Sequence, residues 1–324
     1  MRAALESGLG SGAVSVEVWL QVIPQLIARI HTQAAGTRSL LHRLLERIGD
    51  AHAQALIYPL TVSCKSATTS RRNAAMQIMR SIRLRRPAVV DQAEMVSREL
   101  IRVAILWHEM WHAGLEEASR QYFGEGSISG MLATLLPLHE MITAPGPVTL
   151  RETAFVQAYG ADLATAHRWL QDHQRSGRVS DLLQASVGGG CRTRGSARLA
   201  VPPSLPPAAA IPAPAAQAWE IYNKLYKAFT KMLQGMPALE LQLVSPALLA
   251  AHDLELCVPG TYAAHAPAVR IKSFSPAVDV ISSKQRPRKV TLLGSDGRQY
   301  TFLLKVRVES MGGAGARPHV DSLL

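Results

Sequence analysis

The chain has 324 residues, 48% hydrophobic and 18% charged, with a formal net charge of +11, which is enough apolar material for two or three packed domains and too much for a disordered polypeptide. Three cysteines, Cys64, Cys191 and Cys257, are odd in number, far apart and without a C-x-x-C pair, so they argue against a disulfide framework or a cysteine zinc site and for a reducing, intracellular compartment. The first twenty residues have no sustained apolar core of signal-peptide type, and no run approaches the roughly 18 apolar residues needed to span a bilayer, so the protein is expected to be soluble.

After a short N-terminal segment (1–13), Val18, Trp19, Val22, Ile23, Leu26 and Ile30, then Leu40, Leu41, Leu44, Leu45 and Ile48, recur at helical spacing with short polar breaks. This predicts antiparallel helix pairs of a solenoid over about 14–88. Arg71, Arg72, Arg80, Arg83, Arg85 and Arg86 cluster near one helix end. Such a basic run is ordinarily a solvated face, and no nucleic-acid partner is expected.

Further helices are predicted at Leu100–Tyr122, Gly130–Met141, Thr149–Gln174 and from Trp219 on, broken at Pro145-Gly146-Pro147 and Ser176-Gly177. Trp219, Tyr222, Tyr226, Phe229 and Leu233 form one stripe of the last helix. Before it, residues 186–217 hold six prolines, a glycine triplet and no acidic residue, which reads as a disordered insertion spanning 185–217 within a bundle of 89–236. Past Pro246 the period changes to that of strands: Leu254–Val258, Val269–Phe274, Val278–Ser283, Val290–Leu293 and Tyr300–Leu304. Asp296-Gly297 between the last two favours a tight hairpin turn. The tail, 306–324, is Gly-rich.

His108-Glu109-Met110-Trp111-His112 fits H-E-x-x-H, which on a helix sets two imidazole ligands one turn apart with a carboxylate as general base. A zinc site needs a third ligand. His139 and Glu140 are the nearby candidates, without a supporting spacing, and a motif of three fixed letters arises easily by chance in a chain with 11 histidines. Zinc hydrolysis is therefore the least favoured reading.

The words WLQVIPQLIARI (19–30) and ALIYPLTVSCKSATTSRRNAA (55–75), the run ELIRVAILWHEMWHAGLEEASRQYFG (99–124), Gly130-Met131, Pro137-Leu138-His139 and Gln157-Ala-Tyr-Gly160 resemble the target-of-rapamycin kinases of the PI3K-related family. LELCVPGTY (254–262), ISSKQRPRKVTLLGSDG (281–297) and FLLK (302–305) do so as well. The resemblance covers roughly 14–184 and 218–305. It implies a mainly α fold: the end of the FAT helical solenoid, an antiparallel four-helix rapamycin-binding bundle, and a short β-rich fragment of a kinase small lobe (237–305). It places a macrolide cleft at Leu115, Ser119, Tyr122, Phe123, Leu183, Trp219, Glu220 and Tyr226. Leu183 stands where the family has threonine and Asn223 where it has tyrosine.

The same resemblance puts Ser283, Gln285, Leu303 and Lys305 around ATP. It implies ATP and magnesium as cofactors of the intact family member, with neither expected to bind tightly here. The partners implied are an immunophilin with rapamycin, Raptor-like and WD-repeat subunits, and acidic lipid as a further possibility. The implied location is the cytoplasm, with endomembrane association through complexes. The loops carrying the catalytic Asp and the magnesium ligands are not found after Lys305, so this chain is expected to lack kinase activity and to have no catalytic residue of its own. The alternative from another class is a stand-alone helical module binding protein or lipid.

Overall fold

A computed structural model describes residues 15–175, 213–283, 285–307 and 319–323. The expectations for 1–13, for Leu183 and for 185–212 lie outside them. The described residues form two compact units, one from 15–104, 237–307 and 319–323, the other from 105–175 and 213–236. No described helix is long and apolar enough to cross a membrane.

The first unit starts with a 3-10 segment, Val16–Val22, and α1 (Ile23–Ala28). Three longer helices come next: α2 (Ala35–Ser63), α3 (Thr69–Arg85) and α4 (Pro87–Ala104). Their buried stripes interlock: Leu45, Ile48, Leu56 and Leu60 from α2, Ala75, Ile78 and Ile82 from α3, Val89, Val90, Val96 and Val103 from α4. At Gly49 a Cβ atom would lie 2.7 Å from Ile82 Cγ1, so the glycine lets α2 and α3 approach closely.

In the same unit, β1 (Ala238–Glu240), two short helices α9 (Leu241–Val244) and α10 (Pro246–Leu249), β2 (Ile271–Phe274), β3 (Ala277–Val280), β4 (Arg288–Gly294), β5 (Gln299–Arg307) and β6 (His319–Leu323) complete the chain. The six-stranded antiparallel sheet runs β1-β3-β4-β5-β6, with β2 also on β4. β2 and β3 share one edge of β4, separated at Ser275-Pro276, where proline cannot donate to a ladder. The β4–β5 hairpin turns at Asp296-Gly297 as the sequence suggests. Gly297 sits at φ +79, and Asp296 accepts from the Arg298 N–H at 3.0 Å.

One expectation for this unit changes and two strands are added. Leu254–Val258 is not a regular strand of the sheet: it makes a single bridge, Cys257 to Arg270, with backbone bonds from the Leu254 amide to the Ile271 carbonyl, from the Ile271 amide to the Leu256 carbonyl and from the Val258 amide to the Val269 carbonyl at 2.9, 2.9 and 2.8 Å, while helix side chains take the groups between. Gln54 Nε2 donates to the Glu255 carbonyl at 2.8 Å, and Gln54 and Gln92 side-chain oxygens accept from the Cys257 and Leu256 amides at 3.0 and 3.2 Å. β6 lies in the Gly-rich tail, with Leu323 opposite Leu304. β1 pairs with β3 although its three residues carry no readable alternation.

The second unit is a four-helix bundle of α5 (Trp107–Ser119), α6 (Ile128–Thr143), α7 (Leu150–Arg175) and α8 (Ala213–Gln234). Its core holds Trp111, Leu115, Met131, Leu135, Phe155, Leu163, Leu170, Tyr222 and Phe229. Burying one such aromatic stabilises the bundle by about 2–3 kcal/mol. Thr149 and Glu152 form a capping box at the start of α7: the Glu152 carboxylate accepts from the Thr149 amide at 3.0 Å and Thr149 Oγ1 from the Glu152 amide at 3.2 Å.

The continuous helix expected over Leu100–Tyr122 is broken at Ile105-Leu106. Leu106 is extended (φ −85, ψ 155), and its amide donates to the Glu109 carboxylate at 3.0 Å, which starts a new helix at Trp107. The last helix begins at Ala213, not Trp219, within the segment expected to be disordered. Alanine-rich sequence with Pro214 in the first turn favours a helix start there.

Candidate functional site

The HEMWH run lies on α5, and each of its polar members is engaged in packing or capping. His108 is buried and meets Phe155, Tyr159 and Phe229 edge-on at 4.7, 5.8 and 5.8 Å. Burial first, then the charge of Arg151, holds its imidazole down at about 3. Glu109 caps the helix that carries it. His112 stacks on Tyr226 at 4.4 Å and 20°, and its Nε2 hydrogen-bonds Thr230 Oγ1 at 3.0 Å. His139, the prospective third ligand, is buried against Trp111 and hydrogen-bonds Tyr222 through Nε2 at 2.9 Å. No group of three His, Cys, Asp or Glu side chains among the described residues could hold a metal ion.

A different set of side chains converges where α5 ends. After Ser119 the backbone forms a π-helical turn, Arg120–Gly124. Such a turn adds a residue to the helical repeat and re-aims the side chains beyond it. It is clamped from both sides. Arg120 Nε donates to Glu117 at 2.9 Å and its Nη1 pairs with Glu125. Buried Gln121 donates to Glu117 at 2.8 Å and accepts from Thr134 Oγ1 of α6 at 2.9 Å. The Gln121 carbonyl accepts the Ser127 amide at 2.8 Å.

This turn brings Tyr122 and Phe123 together with Trp219 of α8. Ring centroids are 5.7 Å apart for Tyr122 and Trp219, 5.2 Å for Phe123 and Trp219, and 4.9 Å for Tyr122 and Phe123. Phe123 is 42% exposed and Tyr122 half-buried, while Trp219 is buried, with 8% of its surface exposed. Half-buried Ser119 precedes Tyr122 by one turn, and Leu115 one turn earlier is buried in the core. Tyr226 lies two turns along α8 from Trp219, against His112, and Glu220 is exposed beside Trp219.

α5 and α8 thus run antiparallel, with an aromatic group at each end of the shared face. The tyrosines and the imidazole of this face are uncharged near neutral pH: burial raises the Tyr122 hydroxyl, burial and then Glu116 raise that of Tyr226, and burial lowers the His112 imidazole. An apolar face walled by aromatics, with a small half-buried residue, Ser119, one turn from Tyr122, accepts a flat hydrophobic ligand or an apolar peptide side chain. His112 belongs to this face, although sequence reasoning had assigned it only to the zinc motif. The signal was its three-four-three spacing with Leu115, Ser119 and Tyr122.

The second set lies on the sheet. Leu303 is half-buried and Lys305 exposed on β5. Leu303 is in register with Lys289, which is itself opposite Asp279. Val290, Leu292 and Leu304 point to the other, buried side. Ser283 and Gln285 are exposed in the turn from β3 to β4, at the end where Arg288 pairs with Leu304. The four residues therefore share one end of an open sheet face. Lys305, Ser283 and Gln285 offer donors that suit a nucleotide's phosphates and Leu303 a surface that suits its base. Asp279, the carboxylate in register on that face, is paired with Lys289 at 3.4 Å.

Residues 99–186 match the family described as the FKBP12-rapamycin binding domain. Residues 10–101 match the HEAT repeats of serine/threonine-protein kinase ATR-like proteins. The chain is 45% identical over 305 residues to the serine/threonine-protein kinase TOR of Oryza sativa subsp. japonica, covering 94% of this chain and 11% of that protein. The corresponding protein of Arabidopsis thaliana is 44% identical over 308 residues, with the same coverage. Serine/threonine-protein kinase mTor of Drosophila melanogaster is 45% identical over 296 residues, covering 91% of this chain and 11% of that protein. The chain thus spans 11% of the length of these relatives.

Proposed function

We propose that this chain, a segment of the target-of-rapamycin family of serine/threonine kinases, serves that kinase as its macrolide-binding and substrate-recruiting part and carries the first nucleotide-facing strands. The observation that supports this reading best is the Tyr122, Phe123 and Trp219 group at the π-turn of α5. Its partner in this role is rapamycin presented by a small immunophilin, the macrolide's flat face lying on Trp219 and approaching over Ser119.

In the intact kinase, ATP and magnesium bind at the sheet, where Lys305 reaches the phosphates and Leu303 packs on the base. ATP supplies the phosphoryl group. Raptor-like and WD-repeat subunits accompany that kinase in the cytoplasm and at endomembrane surfaces.

The test is rapamycin-dependent association of the full chain with a small immunophilin. Trp219→Ala should weaken it by about 30-fold, the effect of removing a buried aromatic anchor. Unchanged association in Trp219→Ala, with the bundle still folded, would refute the assignment of this face.

A further inference from the structure

We propose that the outer face of α3 is a docking site for an acidic protein segment that inserts an apolar side chain among its arginines. This surface is separate from the macrolide face and does not depend on that reading. No acidic residue occurs between Asp50 and Asp91, whereas Arg71, Arg72, Arg80, Arg83, Arg85 and Arg86 fall in that stretch. The inner face of α3 is used up in packing, with Ala74, Ala75, Ile78, Met79 and Ile82 buried.

Part of the charge is compensated. Arg83 pairs with Asp91 and Glu94 at 3.2 and 2.6 Å, and Arg85 with Asp50 at 3.1 Å. Arg71 and Arg72 donate to neutral oxygens of Ser63, Ser66 and Thr69. Among the described residues three carboxylates therefore answer six guanidiniums, and Arg80 and Arg86 are exposed on the surface.

A solvated face would account for the arginines but not for Leu84, which is 86% exposed in the last turn of α3. Met76, 38% exposed, and Arg80 precede it at four-residue steps on the same side. Arg86 alone separates α3 from α4, so the backbone that carries Leu84 is already ordered and little backbone ordering cost remains to binding.

These features set the chemistry of the occupant. Positive potential selects carboxylates and speeds encounter, while Leu84 and Met76 need an apolar side chain to cover them. Their apolar area is too small to anchor a helix in a bilayer interface, which takes a whole apolar helix face. α3 also has no aromatic residue on which bases could stack.

The full chain is titrated with a fluorescein-labelled, glutamate-rich peptide of roughly a dozen residues bearing a central Leu-Phe pair, at about 50 mM salt. We expect saturable binding that weakens about tenfold at about 300 mM salt as the Debye length contracts. Arg80→Glu with Arg86→Glu should weaken it by about tenfold or more, and Leu84→Ser by about fivefold. The Arg80→Lys, Arg86→Lys pair should stay within about twofold of the parent chain. Thermal unfolding of each variant checks the fold, and Leu84→Ser, an exposed site, keeps the test decisive if the charge reversal fails to fold. Equal binding of a peptide with Ser-Ser in place of Leu-Phe would overturn the proposal, as would binding unaltered by Leu84→Ser. Capture of the chain by phosphatidylserine vesicles without peptide binding would overturn it in favour of a lipid surface.

Discussion

His139 of α6 and His167 of α7 lie face to face, ring centroids 4.3 Å apart and planes within 9° of parallel. His139 is buried and hydrogen-bonded to Tyr222, whereas His167 is half-exposed with its Nε2 3.1 Å from the Gln171 amide nitrogen. Two imidazoles so close tolerate at most one charge. Burial, then the neighbouring His167, brings His139 down to about 3, and burial lowers His167 against the pull of Glu140.

The bundle should therefore lose stability in acid. His108 and His139, both held at about 3 in the folded chain, titrate near 6.5 when unfolded. Between those values the unfolded state binds more protons, so the stabilisation is complete above roughly pH 6.5 and declines as pH falls toward 3. At pH 5 the loss should be about 2 kcal/mol for each histidine. Thermal unfolding from pH 7.5 to 4.5 measures it, with His139→Gln expected to flatten the slope. A melting temperature level from pH 7 to 5 would contradict the burial argument.

Glu109 should act as the cap of α5 and not as the general base of a zinc site. Glu109→Ala frees the Leu106 amide and should cost about 1 kcal/mol, readable as a lower midpoint in urea. His112→Ala removes the Tyr226 stack and the Thr230 hydrogen bond and should leave the metal content of the purified chain unchanged. Stoichiometric zinc in the parent chain that vanished in His112→Ala would restore the hydrolase reading.

The helical stripes were readable because burial tracks the 3.6-residue period directly: Trp111 and Leu115 of α5, and Tyr222 and Phe229 of α8, are core residues as their spacing requires. The Asp296-Gly297 hairpin was readable from glycine's tolerance of positive φ. The break at Ile105-Leu106 was not, since the apolar pattern runs through it without Gly or Pro and its cause is a carboxylate three residues on. Leu254–Val258 alternates like a strand, yet its pairing with 269–271 is irregular and its Leu256 and Cys257 amides turn to Gln92 and Gln54, distant in sequence. The π-turn leaves no trace in the spacing of Leu115, Ser119 and Tyr122, which also suits a plain α-helix, and HEMWH hid the role of His112 behind a better-known motif.

Gln121 should control the aromatic face without touching a ligand. Its side chain joins Glu117 of α5 to Thr134 of α6, and its carbonyl holds Ser127. Gln121→Ala leaves the buried Thr134 hydroxyl without this acceptor, a loss of about 1–3 kcal/mol. It also frees the π-turn to relax, so rapamycin-dependent immunophilin association should weaken by several-fold. The double variant with Thr134→Val should recover part of the stability but not the association. Full recovery of both would show that the turn does not set the face.

Lys305 should matter neither to the fold nor to any phosphate transfer by this chain. Its side chain is exposed on β5, on the face away from Val290, Leu292 and Leu304, so Lys305→Ala should change stability by no more than about 0.5 kcal/mol. Phosphoryl transfer rests on positioning and on neutralising charge with metal-bound carboxylates and an oriented hydroxyl. On this face Lys305 is joined by Ser283 and Gln285, while Asp279 is engaged by Lys289, so among the described residues the groups that hold magnesium and orient a substrate are not assembled around it. With ATP, magnesium and a generic serine peptide, the purified chain should transfer no phosphate above background. Transfer that disappears in Lys305→Ala would mean that these strands are catalytic as they stand, and that the parts taken to be necessary are not.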